Sequence, residues 1–234
     1  KDWLVYPENI GENLSIDETA FTNGELYTIV TNKAAKGKKG ALLAMIKGTK
    51  AKNVIQILSK IPKEQRLKVK ELTLDMAGNM GLIVDESFPK ASKVIDRFHV
   101  QKLAFEAVQE IRIKHRWEAI DLENRMIQKA GKDGEKYEIE EYSNGDSPKQ
   151  LLARSRYLLF KSESKWSESQ KERALVLFKE YPDIKQAYDL SQRLSWIYEK
   201  TEDKILARTR LALWIEKVRQ SGFKSFNTIS NTIN

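Results

Sequence analysis

The chain lacks cysteine entirely across its 234 residues. This absence excludes disulfide bonds, thiol nucleophiles and cysteine-ligated zinc sites, and it is typical of a reducing compartment. Only two histidines are present, His99 and His115, and no motif around either supports a histidine zinc site or a Ser-His-Asp triad. No apolar run approaches the roughly 20 residues of a membrane-spanning helix, and no signal segment opens the chain. We therefore expect a soluble, cytoplasmic protein with no membrane partner.

Charge is the first positive indication. Lysine and arginine number 41 against 33 acidic residues, which gives a formal charge of +8. Such a balance fits a polyanionic partner, although it does not indicate a fold. The sequence contains neither a Gly-x-x-x-x-Gly-Lys-Ser/Thr phosphate loop nor a Gly-x-Ser-x-Gly turn, so those two chemistries are not indicated.

The first hundred residues alternate strand-like and helix-like patterns. An Asn23-Gly24 turn predicts a hairpin between the first two strands. The strands are predicted at about residues 13–19, 26–31, 41–46, 69–75 and 92–96, with helices at 51–61 and 79–87. Three hairpin-linked strands followed by helix-linked strands predict a mixed five-stranded sheet with flanking helices, an α/β fold of the RNase H-like order. In that order the first and fourth strands are parallel neighbours.

Helical patterns take over after residue 97. Helices are predicted at about residues 98–130, 148–161, 167–180, 183–200 and 202–220, with an acidic polar loop at 131–147. We expect two regions, an RNase H-like core over residues 1–115 and an all-helical insertion over 116–234.

Two aspartates stand in segments that otherwise resemble buried strands. Asp17 lies in the first predicted strand and Asp75 closes the fourth. Aspartate is depleted in strands, and a buried carboxylate is costly unless it is paired or bound to a metal. Because these strands are predicted neighbours, the pair predicts a shared cation site at one edge of the sheet. The alternatives are a satisfied polar group for Asp17 and a helix N-cap for Asp75.

The chain resembles the transposases of the ISL-three family of bacterial insertion sequences, which are of the Asp-Asp-Glu type. The resemblance is carried by residues 15–18 (Ser-Ile-Asp-Glu), 74–76 (Leu-Asp-Met) and 94–100 (Val-Ile-Asp-Arg-Phe-His-Val). The last segment is the most specific. The likeness covers residues 13–115 well, and the remainder resembles the family only as a helical insertion.

The resemblance implies a metal-dependent transposase that cleaves DNA at the element ends and transfers the strand to target DNA. Asp17 and Asp75 match the first two carboxylates, which would hold two Mg²⁺ or Mn²⁺ ions, and oxygen ligands suit these cations. It also implies a bacterial, nucleoid-associated protein that pairs element ends as a dimer or higher multimer.

The third carboxylate of the family has no match here. Nothing after Leu211 resembles the family's Glu-x-x-Asn-x-Lys stretch, so we expect the catalytic glutamate beyond residue 234. The chain also begins at Lys1 without a methionine and stops within a helical pattern. We expect a segment of a longer protein, with the N-terminal DNA-binding region of the family outside it.

Other residues near the predicted site have two interpretations each. Asp96 either caps the long helix or lies near the metal site, and N-capping is favoured. His99 either bonds the strand end or binds the metal. Glu18 should point to the opposite face of the sheet from Asp17 by the strand period of two, and we do not expect it to share the metal.

Two basic groups are candidate DNA contacts. Lys36, Lys38 and Lys39 form a predicted turn between strands. Lys200, Lys204 and Arg208 recur every fourth residue, which predicts one basic stripe on a helix. For both groups a solvated surface is the alternative. At the level of the whole chain, the alternatives are another RNase H-like metal nuclease of the resolvase kind, and a non-catalytic DNA-binding remnant of a transposase.

Overall fold

The computed structural model describes residues 2–21, 24–75 and 78–233. Asn23 of the predicted hairpin turn lies outside the described residues, whereas Gly24 adopts the positive φ of 76° that such a turn requires. The chain divides into two compact units, Lys1–His99 and Val100–Asn234.

The first unit is built on a mixed sheet, as predicted. Within the described residues it has six strands, β1 (Trp3–Val5), β2 (Asn13–Ala20), β3 (Leu26–Asn32), β4 (Leu42–Lys47), β5 (Glu71–Leu74) and β6 (Ser92–Ile95). Their order in space is β1-β4-β3-β2-β5-β6. The pairs β1–β4, β4–β3 and β3–β2 are antiparallel, whereas the pairs β2–β5 and β5–β6 are parallel.

The prediction of five strands is corrected to six. The additional strand, β1, has only three residues and pairs with β4 at the sheet edge, with Trp3 opposite Ile46. All three of its residues are at least partly exposed, so no buried alternation marks it in the sequence. The predicted neighbourhood of the first and fourth strands is confirmed, because β2 and β5 pair in parallel with Ser15 opposite Thr73.

One face of this sheet is packed by helices. Within the described residues, the α-helices that lie wholly in the first unit are α1 (Ala51–Leu58), α2 (Lys63–Arg66) and α3 (Gly78–Ser87). The core that they share with the sheet includes the fully buried residues Leu14, Val30, Leu72, Val54, Leu58, Ile83 and Val84. Because every second residue of a strand enters this core, the alternate residues are presented on the other face.

The second unit is helical. Helix α4 (Arg97–Asp133) begins just before the boundary between the units and continues into the second one. It is followed along the chain by α5 (Pro148–Arg154), α6 (Glu168–Glu180), α7 (Pro182–Lys200), α8 (Lys204–Ser221) and α9 (Lys224–Ile233). Helices α6 to α9 pack against one another in succession. Trp214 is 1% exposed, and its indole N–H donates to the carbonyl of Leu190 at 2.8 Å. No helix within the described residues is long and apolar enough to cross a membrane.

The predicted basic stripe is wrong as one helical surface. Lys200 is the last residue of α7, and α8 begins only at Lys204. Asp203 starts this new helix, because its carboxylate accepts the amide hydrogen of Leu206 at 2.7 Å. Lys204 and Arg208 remain one turn apart on α8, and both are exposed.

A buried carboxylate stabilises the loop before α5. Asp146 is 1% exposed and accepts hydrogen bonds from Arg154 and from Arg173, the latter at 3.0 Å. Burial acts to raise the pKa of the Asp146 carboxyl, but the two arginines outweigh it and hold that pKa below its usual value.

Replacing this carboxylate should destabilise the fold in a pH-dependent manner. We expect Asp146→Asn to lower the free energy of unfolding by about 2 kcal/mol at neutral pH, because two arginines lose their charged partner. The lowered pKa means that the contribution is present above the unfolded pKa and is lost as the pH falls through about 4 and below. Urea unfolding at several pH values measures this difference. Asp189→Asn, at an exposed pair with Lys185, should change stability little, and an equal loss in both variants would contradict the role of Asp146.

Candidate metal centre

Asp17 lies on the face of the sheet opposite the hydrophobic core, which we call the open face. Its neighbour Ile16 is buried in the core, whereas the Asp17 side chain is 55% exposed. One carboxylate oxygen accepts the amide hydrogen of Glu18 at 2.8 Å. The expectation of a buried strand carboxylate is therefore wrong for Asp17, because the strand alternation turns it away from the core and leaves it hydrated.

Asp75 follows the last residue of β5 and is half-buried. It is not a strand residue, since the strand ends at Leu74. Continuing the Ser15–Thr73 register by two residues places Asp75 opposite Asp17. Helix α3 begins at Gly78, and residues 76 and 77 lie outside the described part of the chain.

His99 lies close to the two aspartates. It lies in the first turn of α4, and its Nε2 is 4.0 Å from Oδ1 of Asp17. One ligand atom from each of Asp17, Asp75 and His99 can be chosen so that all lie within 4.8 Å of one another. The sequence suggested two of these residues as the centre and left His99 with two interpretations.

The donor atoms suit a divalent cation. Ligand atoms at about 2.1 Å from an octahedral Mg²⁺ are about 3 to 4 Å apart, so small side-chain rotations bring this group to coordinating distance. Carboxylate oxygens favour Mg²⁺ or Mn²⁺, and an imidazole nitrogen is tolerated better by the transition metal. The chemistry of the set therefore fits the predicted cation.

Asp96 holds the helix that carries His99. Its carboxylate accepts the amide hydrogen of Phe98 at 2.9 Å, and its carbonyl accepts that of His99 at 3.2 Å. This is the geometry of an N-cap, the interpretation that the sequence favoured. Asp96 thus fixes the first turn of α4, where His99 lies.

Glu18 experiences the charges of both aspartates. The strand period assigns it to the opposite face from Asp17, and its side chain is half-buried. Burial raises the pKa of the Glu18 carboxyl, and the charges of Asp75 and Asp17 raise it further. The carboxylates therefore concentrate negative potential at this end of the sheet, which a bound cation would offset.

The predicted lysine turn is solvated. Lys36, Lys38 and Lys39 are all exposed in the connection between β3 and β4, and Lys36 has a positive φ of 49°. Their ammonium groups are free to reach a polyanion from this connection.

Comparison with known proteins gives a family match. A family model described as Transposase, of the ISL-three type, matches residues 14–234, which include Asp17, Asp75 and His99. No curated protein matches the chain.

A cation bound by these side chains should stabilise the folded protein. We expect Mn²⁺ to raise the melting temperature in proportion to the logarithm of its concentration above the dissociation constant, because it binds the folded state. Asp17→Asn should remove most of this shift while leaving the melting temperature without metal nearly unchanged, since the side chain is exposed. Asp121→Asn, an exposed aspartate on α4, is the matched control. An undiminished Mn²⁺ shift in Asp17→Asn would exclude this residue as a ligand.

Proposed function

The chain belongs to the ISL-three family of transposases, and from this premise we propose that it cleaves and transfers DNA strands at the ends of an insertion sequence. The observation that carries the proposal is that one ligand atom from each of Asp17, Asp75 and His99 lies within 4.8 Å of the other two. A match over residues 14–234 favours a transposase over the resolvase-like alternative.

The two aspartates act as the metal ligands in this proposal. Asp17 is held on a paired strand with its carboxylate bonded to the next amide, and Asp75 is held at the end of the neighbouring strand. Two Mg²⁺ or Mn²⁺ ions, when bound, supply positive charge to the attacking and leaving oxygens of phosphoryl transfer. Among the described residues, the group whose ligand atoms lie within 4.8 Å of one another contains no glutamate.

His99 is a positioning residue in this proposal. At 4.0 Å from Oδ1 of Asp17, its Nε2 is beyond hydrogen-bond distance, and a small side-chain rotation would let the ring donate to that carboxylate and fix its orientation. The N-cap at Asp96 keeps His99 in place.

DNA is the substrate and the partner. The charge of +8 favours a polyanion, and Lys36, Lys38 and Lys39 offer phosphate contacts in the first unit. In the second unit, Lys204 and Arg208 on α8, with Lys200 at the end of α7, offer further ones. The proposal includes a catalytic core over residues 1–115, a helical insertion region over 116–234, pairing of DNA ends by a dimer or higher multimer, and action at the bacterial nucleoid.

Cleavage tests the assignment of the aspartates. For the full-length protein with Mg²⁺ or Mn²⁺ and DNA carrying the element ends, we expect strand cleavage that Asp17→Ala and Asp75→Ala each reduce by about 10³-fold, because charge stabilisation of the reacting oxygens is lost. Gel assays of end-labelled DNA measure the rates, and circular dichroism checks folding. Asp121→Ala should cleave normally. Normal cleavage by either site variant would overturn the assignment, whereas DNA binding without any cleavage by the wild type would favour the non-catalytic remnant.

The role of His99 is tested through the Mn²⁺ concentration that cleavage requires. We expect His99→Gln to raise the Mn²⁺ concentration for half-maximal cleavage about 10- to 100-fold, because outer partners of metal ligands tune affinity to that extent. The rate at saturating Mn²⁺ should recover most of the wild-type value. A loss of rate that Mn²⁺ cannot restore would instead assign His99 to the reaction itself.

A further inference from the structure

We propose that Lys33 binds a phosphate of the DNA strand on the open face of the sheet, next to Asp17 and Asp75. This inference rests on the proposed function, because it assigns the position of the substrate at the same site. Lys33 is not one of the three lysines that the sequence suggested for the neighbouring turn.

The open face is polar where it approaches the aspartates. Ser15, Thr31 and Thr73 are half-buried on it, on three adjacent strands in the order β3-β2-β5. Ser15 pairs with both Thr31 and Thr73, so the three hydroxyl side chains share one face. Hydroxyl groups are ordinary phosphate contacts in protein–DNA complexes.

Lys33 reaches across this face. Its Nζ donates to the hydroxyl oxygen of Thr73 at 2.9 Å, although the two residues are 40 positions apart in the chain. Strand β2 lies between β3, which ends just before Lys33, and β5, which carries Thr73. The ammonium group is therefore brought over the open face and not into the solvent beyond the turn.

The backbone at Lys33 is fixed by its neighbour. The Asn32 side chain accepts the amide hydrogen of Ala34 at 3.0 Å and donates to the carbonyl of Asn9 at 3.0 Å. It also fills the space beside Gly11, where an added Cβ would meet its oxygen at 2.7 Å. Asn32 ends β3 opposite Leu14, and Lys33 begins a single 3₁₀ turn from which its side chain reaches Thr73 on the open face.

The charge of Lys33 is available to a ligand. The one hydrogen-bond partner of its ammonium group among the described residues is a neutral hydroxyl, and the ammonium forms no ion pair with them. An ammonium group has three donors, so two remain for phosphate oxygens. Holding a cation on a neutral partner is what distinguishes this lysine from Lys47 and Lys70, which pair with glutamates.

The distance to the aspartates fits one DNA strand. Thr73 precedes Asp75 by two residues, as Ser15 precedes Asp17, so the ammonium is roughly 7 Å from the aspartates along the strand direction. That length corresponds to about one nucleotide step, because neighbouring phosphates of a strand that winds around the axis are roughly 7 Å apart although the axial rise is only about 3.4 Å. Lys33 would therefore hold a phosphate near the scissile one and set the direction of the strand across β2 and β5.

Salt dependence of DNA binding tests this inference without cleavage. The full chain carries Asp17→Asn in every sample, which removes one negative charge of the candidate site, and EDTA is present to prevent metal-dependent cleavage. The probe is a fluorescently labelled duplex of mixed sequence, since phosphate contacts are independent of sequence. Fluorescence anisotropy gives the slope of log K against log salt for Asp17→Asn alone and with Lys33→Met, Lys33→Arg or Lys52→Met.

We expect Lys33→Met to make the slope shallower by about 0.9, the value for one lost phosphate contact, and Lys33→Arg to preserve it. Lys52 is the matched control, because it is an exposed lysine on α1, which packs against the opposite face of the sheet. Equal slopes for Lys33→Met and Lys52→Met would overturn the inference. That failure is separate from failure of the proposed function, which would appear as normal cleavage in Asp17→Ala whatever the slopes.

Discussion

The candidate site depends on the parallel pairing of β2 with β5. Leu14 pairs with Leu72, and both are fully buried in the core. A one-residue slip of β5 along β2 would turn Leu72 and Leu74 toward water and Asp75 toward the core, at a cost of about 2 kcal/mol for each exposed leucine. The hydrophobic core thus sets the register, and the register brings Asp17 and Asp75 to the same level on the open face.

Much of this arrangement could be predicted from the sequence, because it follows from local patterns. Apolar alternation located five of the six strands, and their order with the helices gave the neighbourhood of β2 and β5. The short edge strand β1 escaped because its three residues are partly exposed. The exposure of Asp17 could also have been predicted, because the apolar residues Leu14 and Ile16 alternate with Ser15 and Asp17 and so assign Asp17 to the polar face of the strand.

Other features of the site required the tertiary structure. The approach of His99 to Asp17 depends on where α4 begins, and the Asp96 carboxylate caps that end of the helix. The reach of Lys33 to Thr73 spans 40 positions and has no periodic signal. The prediction of one basic stripe was wrong because the four-residue spacing of basic residues continues between Lys200 and Lys204, where one helix ends and another begins. Spacing alone does not reveal such an interruption.

The helical unit contains a buried charged side chain, in contrast to the exposed Asp17 of the candidate site. Arg112 is 4% exposed and donates to the Gln109 side chain at 2.6 Å and to the Leu152 carbonyl at 2.7 Å. Burial, with the charges of Arg116 and Arg156, lowers the pKa of Arg112 to about 10. This charge is buried among fixed partners that the fold requires, whereas the Asp17 carboxylate is largely hydrated, and its removal would leave the hydrophobic core intact.

The exposure of Asp17 has an evolutionary consequence. Selection for folding acts on buried and tightly paired residues, so it does not protect an exposed carboxylate on the open face of a sheet. A gene copy that loses Asp17 would still encode a folded protein with its basic surfaces intact. Under the proposed function, such copies would bind DNA ends without cleaving them and would compete with active copies of the same element, so mutational decay would begin at the catalytic residues while the fold remained.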